Sequence, residues 1–381
     1  MTEKLYYQDA YIKDFDANVI SCAEFDGGFE VVLDRTAFFP EEGGQSADRG
    51  TIDGIPVIDV REQDGIIYHV TATPLKTGAR VHCALYFDER FMKMQCHTAE
   101  HILCGIIHSL YKLNNVGFHL GDKVVTFDLD GVLTREELDR AEELANNAVF
   151  ANLPVTASFP TVQELENMDF RSKMEITDGI RIVRIGDVDA CACCAPHVAY
   201  TGEIGMIKML DFAKHRGGIR IQMVAGSRAL LDYREKYSNV HRISAYLSEP
   251  QESTADAVLR ATESIEEYKS RIKYQGLEIA ALRARLTDPT DGNALYLLDG
   301  MNMDQLREFS NVAMKRVGGI LIVLTGTDGD YKYVIASEHV DVSGIIRDIN
   351  AALGGKGGGK GNMVQGSFYT DLDSIKSYFH V

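Results

Sequence analysis

Two pairs of metal-binding side chains stand out in the sequence, because each pair is separated by four residues. His97 and His101 lie one helical turn apart, so a helix presents both imidazoles on one face. Cys193 and His197 repeat the spacing in a segment that contains Pro196, which favours a turn. Imidazole and thiolate are common zinc ligands. We therefore predict one Zn²⁺ per chain, held by His97, His101, Cys193 and His197.

The spacing leaves the ligand set and the role of the metal open. Cys191 and Cys194 stand beside Cys193, and either thiol can replace it as the ligand. Four protein ligands are typical of a closed structural zinc site, which is the alternative to a catalytic one. Two histidines at this spacing also occur by chance on surface helices. The His-Glu motif of metalloproteases is excluded, because Thr98 follows the first histidine.

The composition is that of a folded protein and limits its partners. The 381 residues are 45% hydrophobic and 25% charged, and 56 acidic against 39 basic side chains give a formal net charge of −17. This balance argues against nonspecific binding to nucleic acids, although it permits a local basic groove. Seven cysteines, an odd number, argue against a disulfide framework. We find no apolar run near ~20 residues and no signal segment, so we expect a cytoplasmic protein with no membrane partner.

The pattern of apolar residues predicts an α+β protein with several domains. Short β-rich runs separated by turns favour a small barrel or sandwich, and we predict a β-barrel-like domain at 1–88. Helical spacing from Glu89 onward, a capping box at Thr134 and three strand-like runs predict an α+β zinc-binding domain at 89–245. Alternating strands and helices predict a C-terminal α/β domain at 292–381, with Gly354–Gly361 as a loop.

The segment between these domains is predicted to be one long helix over 250–289. Its apolar residues fall seven apart without interruption, at Val258, Ile265, Ile272, Ile279 and Leu286. Such a repeat is typical of a coiled coil, so we predict a homodimer through the 258–286 helix and the C-terminal domain. The alternative is a helical arm that packs on its own chain.

The two ligand pairs resemble those of the editing domain shared by alanyl-tRNA synthetase and the free-standing AlaX proteins. The likeness extends along the chain in the family's order, and the long AlaX form is the most similar kind. It includes the glycine-rich segment Thr36–Gly50, the strand pair within Val116–Leu129, the continuation Thr201–Gly205, the segment Gly217–Gly226, and a DHHA1-type C-terminal domain with its glycine-lysine loop and Gln365-Gly366. The chain departs from the family between Cys193 and His197, where small residues, often glycines and a threonine, are usual.

The resemblance implies that the chain corrects tRNA charging and does not perform it. The parts named above leave no length for an ATP-dependent aminoacylation domain. The implied reaction is hydrolysis of the ester that joins serine or glycine to the 3′ end of tRNA(Ala). Zinc can polarise the ester carbonyl or lower the pKa of a bound water. His97 and His101 should each donate the second ring nitrogen to a carboxylate or carbonyl. Glu100 is a weak candidate for the general base, because a solvated or salt-bridged glutamate is commoner.

Two glycine-rich segments supply our hypotheses for substrate contacts. Thr36, at the mouth of the first, is expected to contact the serine hydroxyl, with Gln45 shaping the same loop, and an ordinary strand threonine is the alternative. A flexible linker is the alternative for the glycine-lysine loop. The expected tRNA contacts are Lys214, Arg216, Gly217, Gly218 and Arg220 beside the second ligand pair, and Lys356, Gly357, Gly358, Gly359 and Lys360 in the glycine-lysine loop.

Two other functions fit parts of the sequence. A nonhydrolytic tRNA-binding dimer uses the zinc only as a structural element. A metal-dependent phosphoesterase uses the C-terminal domain, but we find no Asp-His-His signature of such enzymes in the sequence. Release of serine from Ser-tRNA(Ala), lost on His97→Ala, distinguishes the hydrolase from the binding protein.

Overall fold

The computed structural model of the chain describes residues 1–172 and 179–381. The described chain is mixed α+β, as predicted, and it divides into two compact units, Met1–His241 and Arg242–Val381. The domain boundaries predicted from the sequence stay predictions. Among the described residues, no helix is both long enough and apolar enough to cross a bilayer.

The first unit begins with a closed β-barrel. Six strands form it in the order β2-β3-β7-β6-β5-β8, and two short strands, β1 and β4, pair in parallel with each other. Alternate residues of β7 are buried, as expected for a strand with one face toward a core. The strands are β1 Glu3–Lys4, β2 Asp14–Phe25, β3 Gly28–Leu33, β4 Arg35–Thr36, β5 Gly50–Ile52, β6 Ile55–Gln63, β7 Ile66–Thr71 and β8 Arg80–Leu85.

The rest of the first unit is built around one buried helix. Helix α1 spans Phe87–Tyr111, and every residue from Lys93 to Ile107 is buried. Two antiparallel sheets accompany it, in the orders β14-β15-β10-β9 and β11-β12-β13. The other elements are β9 Asn115–Leu120, β10 Val125–Leu129, α2 Arg135–Phe150, β11 Val155–Ser158, α3 Val162–Leu165, β12 Ile182–Ile185, β13 Asp189–Ala192, β14 Ile207–His215, β15 Gly218–Ala225 and α4 Gly226–Leu247. Because α1 is enclosed on all sides, its polar side chains must find partners inside the protein.

The capping box predicted at the start of α2 is confirmed. Thr134 accepts a hydrogen bond from the backbone N–H of Glu137, and the Glu137 side chain accepts one from the backbone N–H of Thr134. Helix α4, in contrast, was not predicted, because only one of its residues, Ala229, is buried.

The second unit has a five-stranded sheet flanked by helices. The strand order is β16-β17-β18-β20-β19, with β16 and β17 parallel and the other pairs antiparallel. Its elements are α5 Thr254–Arg285, β16 Ala294–Leu297, α6 Met303–Ala313, β17 Leu321–Thr327, β18 Asp330–Ala336, α7 Val342–Ala352, β19 Lys356–Lys360, β20 Met363–Phe368 and α8 Leu372–Phe379. The alternation of strands and helices predicted for 292–381 is therefore present.

The glycine-lysine segment is not the loop that the sequence analysis predicted. Residues 356–360 form β19, an exposed edge strand that pairs in antiparallel fashion with β20. The glycines permit a close approach of the two backbones. A Cβ atom added at Gly357 would lie 2.3 Å from the carbonyl oxygen of Gln365 and 2.4 Å from Tyr333 Oη. The absence of side chains thus allows a strand where composition alone favours a loop.

The long helix is present as α5, but the coiled coil is not confirmed. Two small residues of α5, Ala280 and Ala284, are fully buried in a core that includes Leu306 and Phe309 of this unit. The five heptad positions predicted to pair two chains are exposed instead, at Val258, Ile265, Ile272, Ile279 and Leu286. Pairing through this exposed row stays a prediction.

Candidate metal centre and cavity

The structure brings the four predicted metal ligands together in the first unit. Helix α1 carries His97 and His101, and the segment after β13 carries Cys193 and His197. The ligand atoms of these four residues all lie within 4.8 Å of one another. Cys193 Sγ lies 3.6 Å from His97 Nε2 and 3.3 Å from His197 Nε2. The group is therefore compact enough to share one ion.

Side chains on other elements orient the two histidines of α1. His97 Nδ1 lies 2.9 Å from Gln45 Oε1, and His101 Nδ1 lies 3.1 Å from Asp189 Oδ2. Asp189 also accepts two hydrogen bonds of 2.8 Å from Arg171. Burial alone would raise the pKa of Asp189, but the hydrogen bonds from His101 and Arg171 outweigh it and lower that pKa. These contacts match the expectation that each histidine donates its second nitrogen to an oxygen atom.

The third imidazole is oriented by a hydroxyl group of α1. Thr98 Oγ1 lies 3.0 Å from His197 Nδ1 and donates its own proton to the carbonyl of Met94, at 2.7 Å. Because that proton is used, the oxygen accepts a hydrogen bond from His197 Nδ1–H. The lone pair of His197 Nε2 is then available to a metal ion. The Nε2 lone pairs of His97 and His101 are available in the same way, because their Nδ1 atoms bond to Gln45 and Asp189.

Of the three neighbouring cysteines, Cys193 is the one that faces the histidines. Burial alone would raise the pKa of its thiol, but the His97 and His197 imidazoles outweigh burial and lower that pKa well below its ordinary value. Burial raises the pKa of both Cys191 and Cys194, and neither belongs to the four-residue group. The geometry therefore favours Cys193 over the two alternatives that the spacing left open.

The four side chains fit a tetrahedral zinc ion. Zinc–nitrogen distances of roughly 2.0–2.1 Å and a zinc–sulfur distance of roughly 2.3 Å separate neighbouring ligand atoms by roughly 3.3–3.6 Å in a tetrahedron. The two sulfur–nitrogen distances, 3.3 and 3.6 Å, agree with this range. The donors are a thiol with a lowered pKa and imidazoles held by Nδ1, which is the protonation pattern that metal binding requires. Zinc itself stays a prediction.

A cavity of about 1130 Å³ opens beside this group. His97, His101 and Cys193 line it, together with Glu100 of α1. Ligand pockets commonly measure roughly 300–1,000 Å³, so this volume suffices for a substantial ligand. The remaining wall contains aromatic rings and charges of both signs, supplied by Tyr7, Phe118, Phe159, the arginines Arg171, Arg181 and Arg184, and the acids Glu42, Asp169, Asp187 and Asp189.

Arg181 supports the ligand segment from the cavity wall. One guanidinium nitrogen donates to the carbonyls of Cys193, at 3.0 Å, and Ala195, at 2.8 Å. The guanidinium lies 5.3 Å from the centre of the Tyr7 ring, within cation–π distance. Its Nε atom is buried and has no hydrogen-bond partner within the described ranges. Arg181 thus fixes the backbone on which Cys193 is carried and brings positive charge to the cavity.

The first glycine-rich segment brings Gln45 to the metal group. Its backbone passes close to β9, because a Cβ atom added at Gly44 would lie 2.5 Å from the carbonyl oxygen of Phe118. Gln45 is fully buried and accepts a hydrogen bond from His97 through Oε1. Gln45, like Thr36, does not itself line the cavity, although Gly43 of the same segment does, and its Nε2 atom is a buried donor without a partner in the described part of the chain.

Thr36 lies in the barrel and does not line the cavity. Its hydroxyl lies 2.8 Å from His69 Nε2 and accepts a hydrogen bond of 3.1 Å from the backbone N–H of Phe38. His69 Nδ1 lies 3.0 Å from the carbonyl of Val31, and burial lowers the pKa of His69 to about 4. The ring is therefore neutral and accepts the proton of Thr36. The contact of Thr36 with a serine hydroxyl stays a prediction.

Comparison with known proteins supports the resemblance seen in the sequence. Three protein-family models match the chain: the second additional domain of threonyl and alanyl tRNA synthetases at residues 180–243, the DHHA1 domain at 291–379, and class II (A) tRNA synthetases at 3–89. The alanyl-tRNA editing protein AlaX-L of Pyrococcus horikoshii is 29% identical and aligns over 100% of both chains. The alanyl-tRNA editing protein Aarsd1 of Danio rerio is 29% identical over 94% of this chain and 92% of its own. The resemblance to alanyl-tRNA editing proteins therefore extends over the full length of this chain.

Alanyl-tRNA synthetases align with this chain over only part of their own length. The alanine–tRNA ligase of Halorubrum lacusprofundi is also 29% identical over 93% of this chain, but the aligned region is only 40% of the ligase. Among solved structures, the C-Ala domain of Aquifex aeolicus alanyl-tRNA synthetase aligns with 25% of this chain and 96% of its own, at a TM-score of 0.22 and 16% identity. The resemblance recognised in the sequence is thus confirmed by full-length relatives.

The tRNA contacts predicted beside the second ligand pair do not line the cavity. Lys214, Arg216 and Gly217 are exposed at the turn between β14 and β15. Arg220 donates two hydrogen bonds, of 2.7 and 2.8 Å, to the carboxylate of Asp128, so its charge is already paired. Lys214 and Arg216 form no ion pair among the described residues, and they are the better candidates for phosphate contacts.

The other predicted tRNA contacts differ in exposure. Gly218 is buried, because β15 passes so close to β10 that an added Cβ atom would lie 1.9 Å from the carbonyl of Leu129. All residues of Lys356–Lys360 are exposed on the edge of the sheet in the second unit. Neither lysine of that strand forms an ion pair in the described ranges.

Sequence reasoning missed the residues that orient the ligands. Asp189 stands four residues before Cys193, and Thr98 directly follows His97, but neither spacing identifies a partner. Asp189 is 88 residues away from His101 along the chain, and Thr98 is 99 residues away from His197. Only the packing of α1 against β13 and the segment after it makes these pairs visible. Arg181 was missed for the same reason.

Proposed function

We propose that this chain hydrolyses the ester that joins serine or glycine to the 3′-terminal ribose of mischarged tRNA(Ala). The observation that carries the proposal is one buried group of three imidazoles and a thiol beside a large cavity. It occurs in a chain that aligns from end to end with an alanyl-tRNA editing protein. The products are the free amino acid and an uncharged tRNA that can be charged again.

The metal ligands and their partners form the reactive part of the site. A zinc ion held by His97, His101, Cys193 and His197 supplies Lewis-acid chemistry at the cavity wall. The protein's part is to keep the ligands in fixed orientations before substrate arrives, through Gln45, Asp189 and Thr98. Fixed ligands avoid reorganisation during the reaction, which lowers the barrier.

The arginines of the cavity complement the charge that develops on the ester. Hydrolysis of an ester passes through a tetrahedral state in which negative charge accumulates on the former carbonyl oxygen. Arg181 lines the cavity, carries no acidic partner among the described residues, and retains one unpartnered N–H. Arg171 lies in the same wall, but its charge is balanced by Asp189. We therefore assign to Arg181 the role of attracting the ester and the adjacent phosphate.

Gln45 supports a preference for serine over alanine. Its Nε2 atom is a buried donor without a partner in the described part of the chain, next to a metal ligand. The hydroxyl of serine can accept this hydrogen bond, whereas alanine and glycine leave it unmade. Sites built around such a bond reject analogues that lack the group. Serine is then preferred over glycine, and alanine is spared. Thr36, our first candidate, must give up its bond to His69 to make this contact.

The remaining expectations concern partners and assembly. The acceptor end of tRNA(Ala) is the proposed partner, with Lys214 and Arg216 in the first unit and Lys356 and Lys360 in the second as phosphate contacts. We keep the homodimer through the exposed heptad row of α5 as part of the proposal. Because the substrate is tRNA, the cytoplasm is the expected site of action.

Deacylation of three substrates tests the proposed function. Purified protein is incubated with Ser-tRNA(Ala), Gly-tRNA(Ala) and Ala-tRNA(Ala), and the remaining ester is measured over time. We expect rapid loss of the serine ester, slower loss of the glycine ester and persistence of the alanine ester. His97→Ala should abolish the activity, whereas His82→Ala, an exposed histidine of the barrel, should retain it.

The alternative with some support is a nonhydrolytic tRNA-binding protein with structural zinc. The observation that favours it is the presence of four protein ligands, which is typical of closed structural sites. Under this alternative, the protein binds tRNA(Ala) and zinc, but all three esters decay at the rate measured without protein. The same assay therefore decides between the two functions.

A further inference from the structure

The cavity contains a buried carboxylate that the metal site does not use. Glu100 lies on α1, three residues after His97 and directly before His101, and it lines the same cavity as both. It is only 4% exposed. A glutamate in this position is thus enclosed by protein on most sides and meets the cavity on the remaining one.

The hydrogen bonds of Glu100 come from neutral groups. Its Oε1 atom accepts from the side-chain amide of Asn115 and from the Cys104 thiol, which lies 3.0 Å away. No lysine or arginine pairs with Glu100 within residues 1–172 and 179–381.

The other buried acids of the described chain show how unusual this is. Three acidic side chains are buried, and two of them pair with an arginine: Asp48 with Arg90, and Asp189 with Arg171. Glu100 is the third; Asp189 lines the same cavity but is paired with Arg171, whereas Glu100 has no arginine or lysine partner among the described residues. A buried charge without a counter-ion is costly, so proteins rarely retain one unless a ligand supplies the opposite charge.

The geometry points to Glu100 as the residue that binds the α-ammonium group of the aminoacyl ester. This inference rests on the proposed function, because it takes an aminoacyl-tRNA as the ligand. The α-ammonium is the one cation of a seryl, glycyl or alanyl ester, and it stands one carbon away from the carbonyl that must meet the metal site. Glu100 is thereby a positioning residue. It orients the ester and admits only esters with a free amino group, so a peptidyl or N-acylated tRNA lacks the required charge.

A substrate without the ammonium group tests this role directly. Nitrous acid converts the amino group of Ser-tRNA(Ala) to a hydroxyl and gives the ester of glyceric acid, called the glyceryl ester below, with the same side chain. Both esters are assayed at one pH near ~6.5, below the ordinary range of an α-amino group. Wild-type protein should hydrolyse the seryl ester with a kcat/KM at least about tenfold above that of the glyceryl ester, since hydrogen bonds to charged groups contribute about one to two decades.

Glu100→Gln should remove that preference. The glutamine oxygen can still accept from Asn115, so the variant keeps the local contacts while losing the charge. We expect kcat/KM for the seryl ester to fall roughly 10- to 100-fold and kcat/KM for the glyceryl ester to stay within about threefold of wild type. Glu100→Asp, which retains the charge, should restore part of the preference. Zinc content and thermal unfolding of each variant establish that the site is intact.

Each other outcome overturns the assignment. An equal loss on both esters assigns Glu100 to the metal site or to proton transfer, and no loss on either removes it from the reaction.

Glu42→Gln provides a matched control, because Glu42 lines the same cavity but is exposed. If Glu42→Gln abolishes the preference, the ammonium site belongs to Glu42. If Glu100→Gln does not fold, equal hydrolysis of both esters by wild type still refutes the inference. Failure of wild type to hydrolyse either ester refutes the proposed function itself.

Discussion

Substitution of Thr98 by valine tests whether an orienting hydrogen bond controls metal binding. Thr98 is fully buried, and its Oγ1 accepts from His197 Nδ1–H at 3.0 Å and from the backbone N–H of Val198 at 3.3 Å. Valine has nearly the same shape and volume, but it has no acceptor. The substitution therefore removes these two hydrogen bonds and the one that Thr98 donates to the carbonyl of Met94, and it creates no cavity.

The expected loss is concentrated in the zinc-bound state. Without metal, the proton of His197 can move to Nε2 and bond to Cys193 Sγ, 3.3 Å away, so little is lost at this ring. Zinc requires the Nε2 lone pair, which leaves Nδ1–H buried without an acceptor. A buried donor without an acceptor costs roughly 1–3 kcal/mol, so we expect the dissociation constant for zinc to rise roughly 10- to 100-fold.

The dissociation constant for zinc is measured by competition with a chromophoric chelator, on wild type, Thr98→Val and Thr98→Ser. Serine retains the hydroxyl and should bind zinc close to wild type. The reasoning is refuted if Thr98→Val binds zinc within about twofold of wild type while remaining folded. It is also refuted if Thr98→Ser is as weak as Thr98→Val, because the hydroxyl is then not the cause.

Four further predictions address the barrel, the tRNA contacts and the assembly. Burial lowers the pKa of His69 to about 4, whereas the same histidine in the unfolded chain titrates near ~6.5. Protonation therefore favours the unfolded chain below pH ~6.5, and the free energy of unfolding falls by about 3 kcal/mol toward pH 4. Urea unfolding of His69→Asn should show a shallower pH dependence. If Thr36 contacts the serine hydroxyl, Thr36→Val should reduce deacylation of Ser-tRNA(Ala) far more than zinc content, whereas an unchanged rate leaves that contact to Gln45. Lys356→Gln with Lys360→Gln should weaken tRNA binding and lower the salt slope by about one per lysine, and equal slopes argue against these contacts. Ile272→Glu should convert a dimer to a monomer by light scattering, and a dimer that persists excludes pairing through this row.

The features that the sequence predicted are those encoded by local spacing. Helix α1 was predicted near its observed bounds because its apolar residues recur at helical spacing. The capping box at Thr134 needed only the residues of one helical turn. The same is true of the ligands, since His97 with His101 and Cys193 with His197 are each local pairs.

What could not be predicted depends on contacts between distant segments. Asp189 and Thr98 acquire their roles only when α1 packs against β13 and the segment after it, and no spacing encodes that pairing. Strand β19 was missed because glycine favours loops by composition, whereas here it allows two backbones to pair closely. The isolated charge of Glu100 was also invisible, because the sequence does not show which acids lack a cation.

The most direct test of the account is the fate of two esters in one reaction. Ser-tRNA(Ala) and Ala-tRNA(Ala), labelled with different isotopes, are incubated together with the protein, and released serine and alanine are counted. We predict that serine is released at a rate proportional to protein concentration, that alanine stays attached, and that His97→Ala stops the release. Persistence of both esters with a protein that binds tRNA(Ala) and zinc would contradict the account, and so would release of alanine as fast as serine.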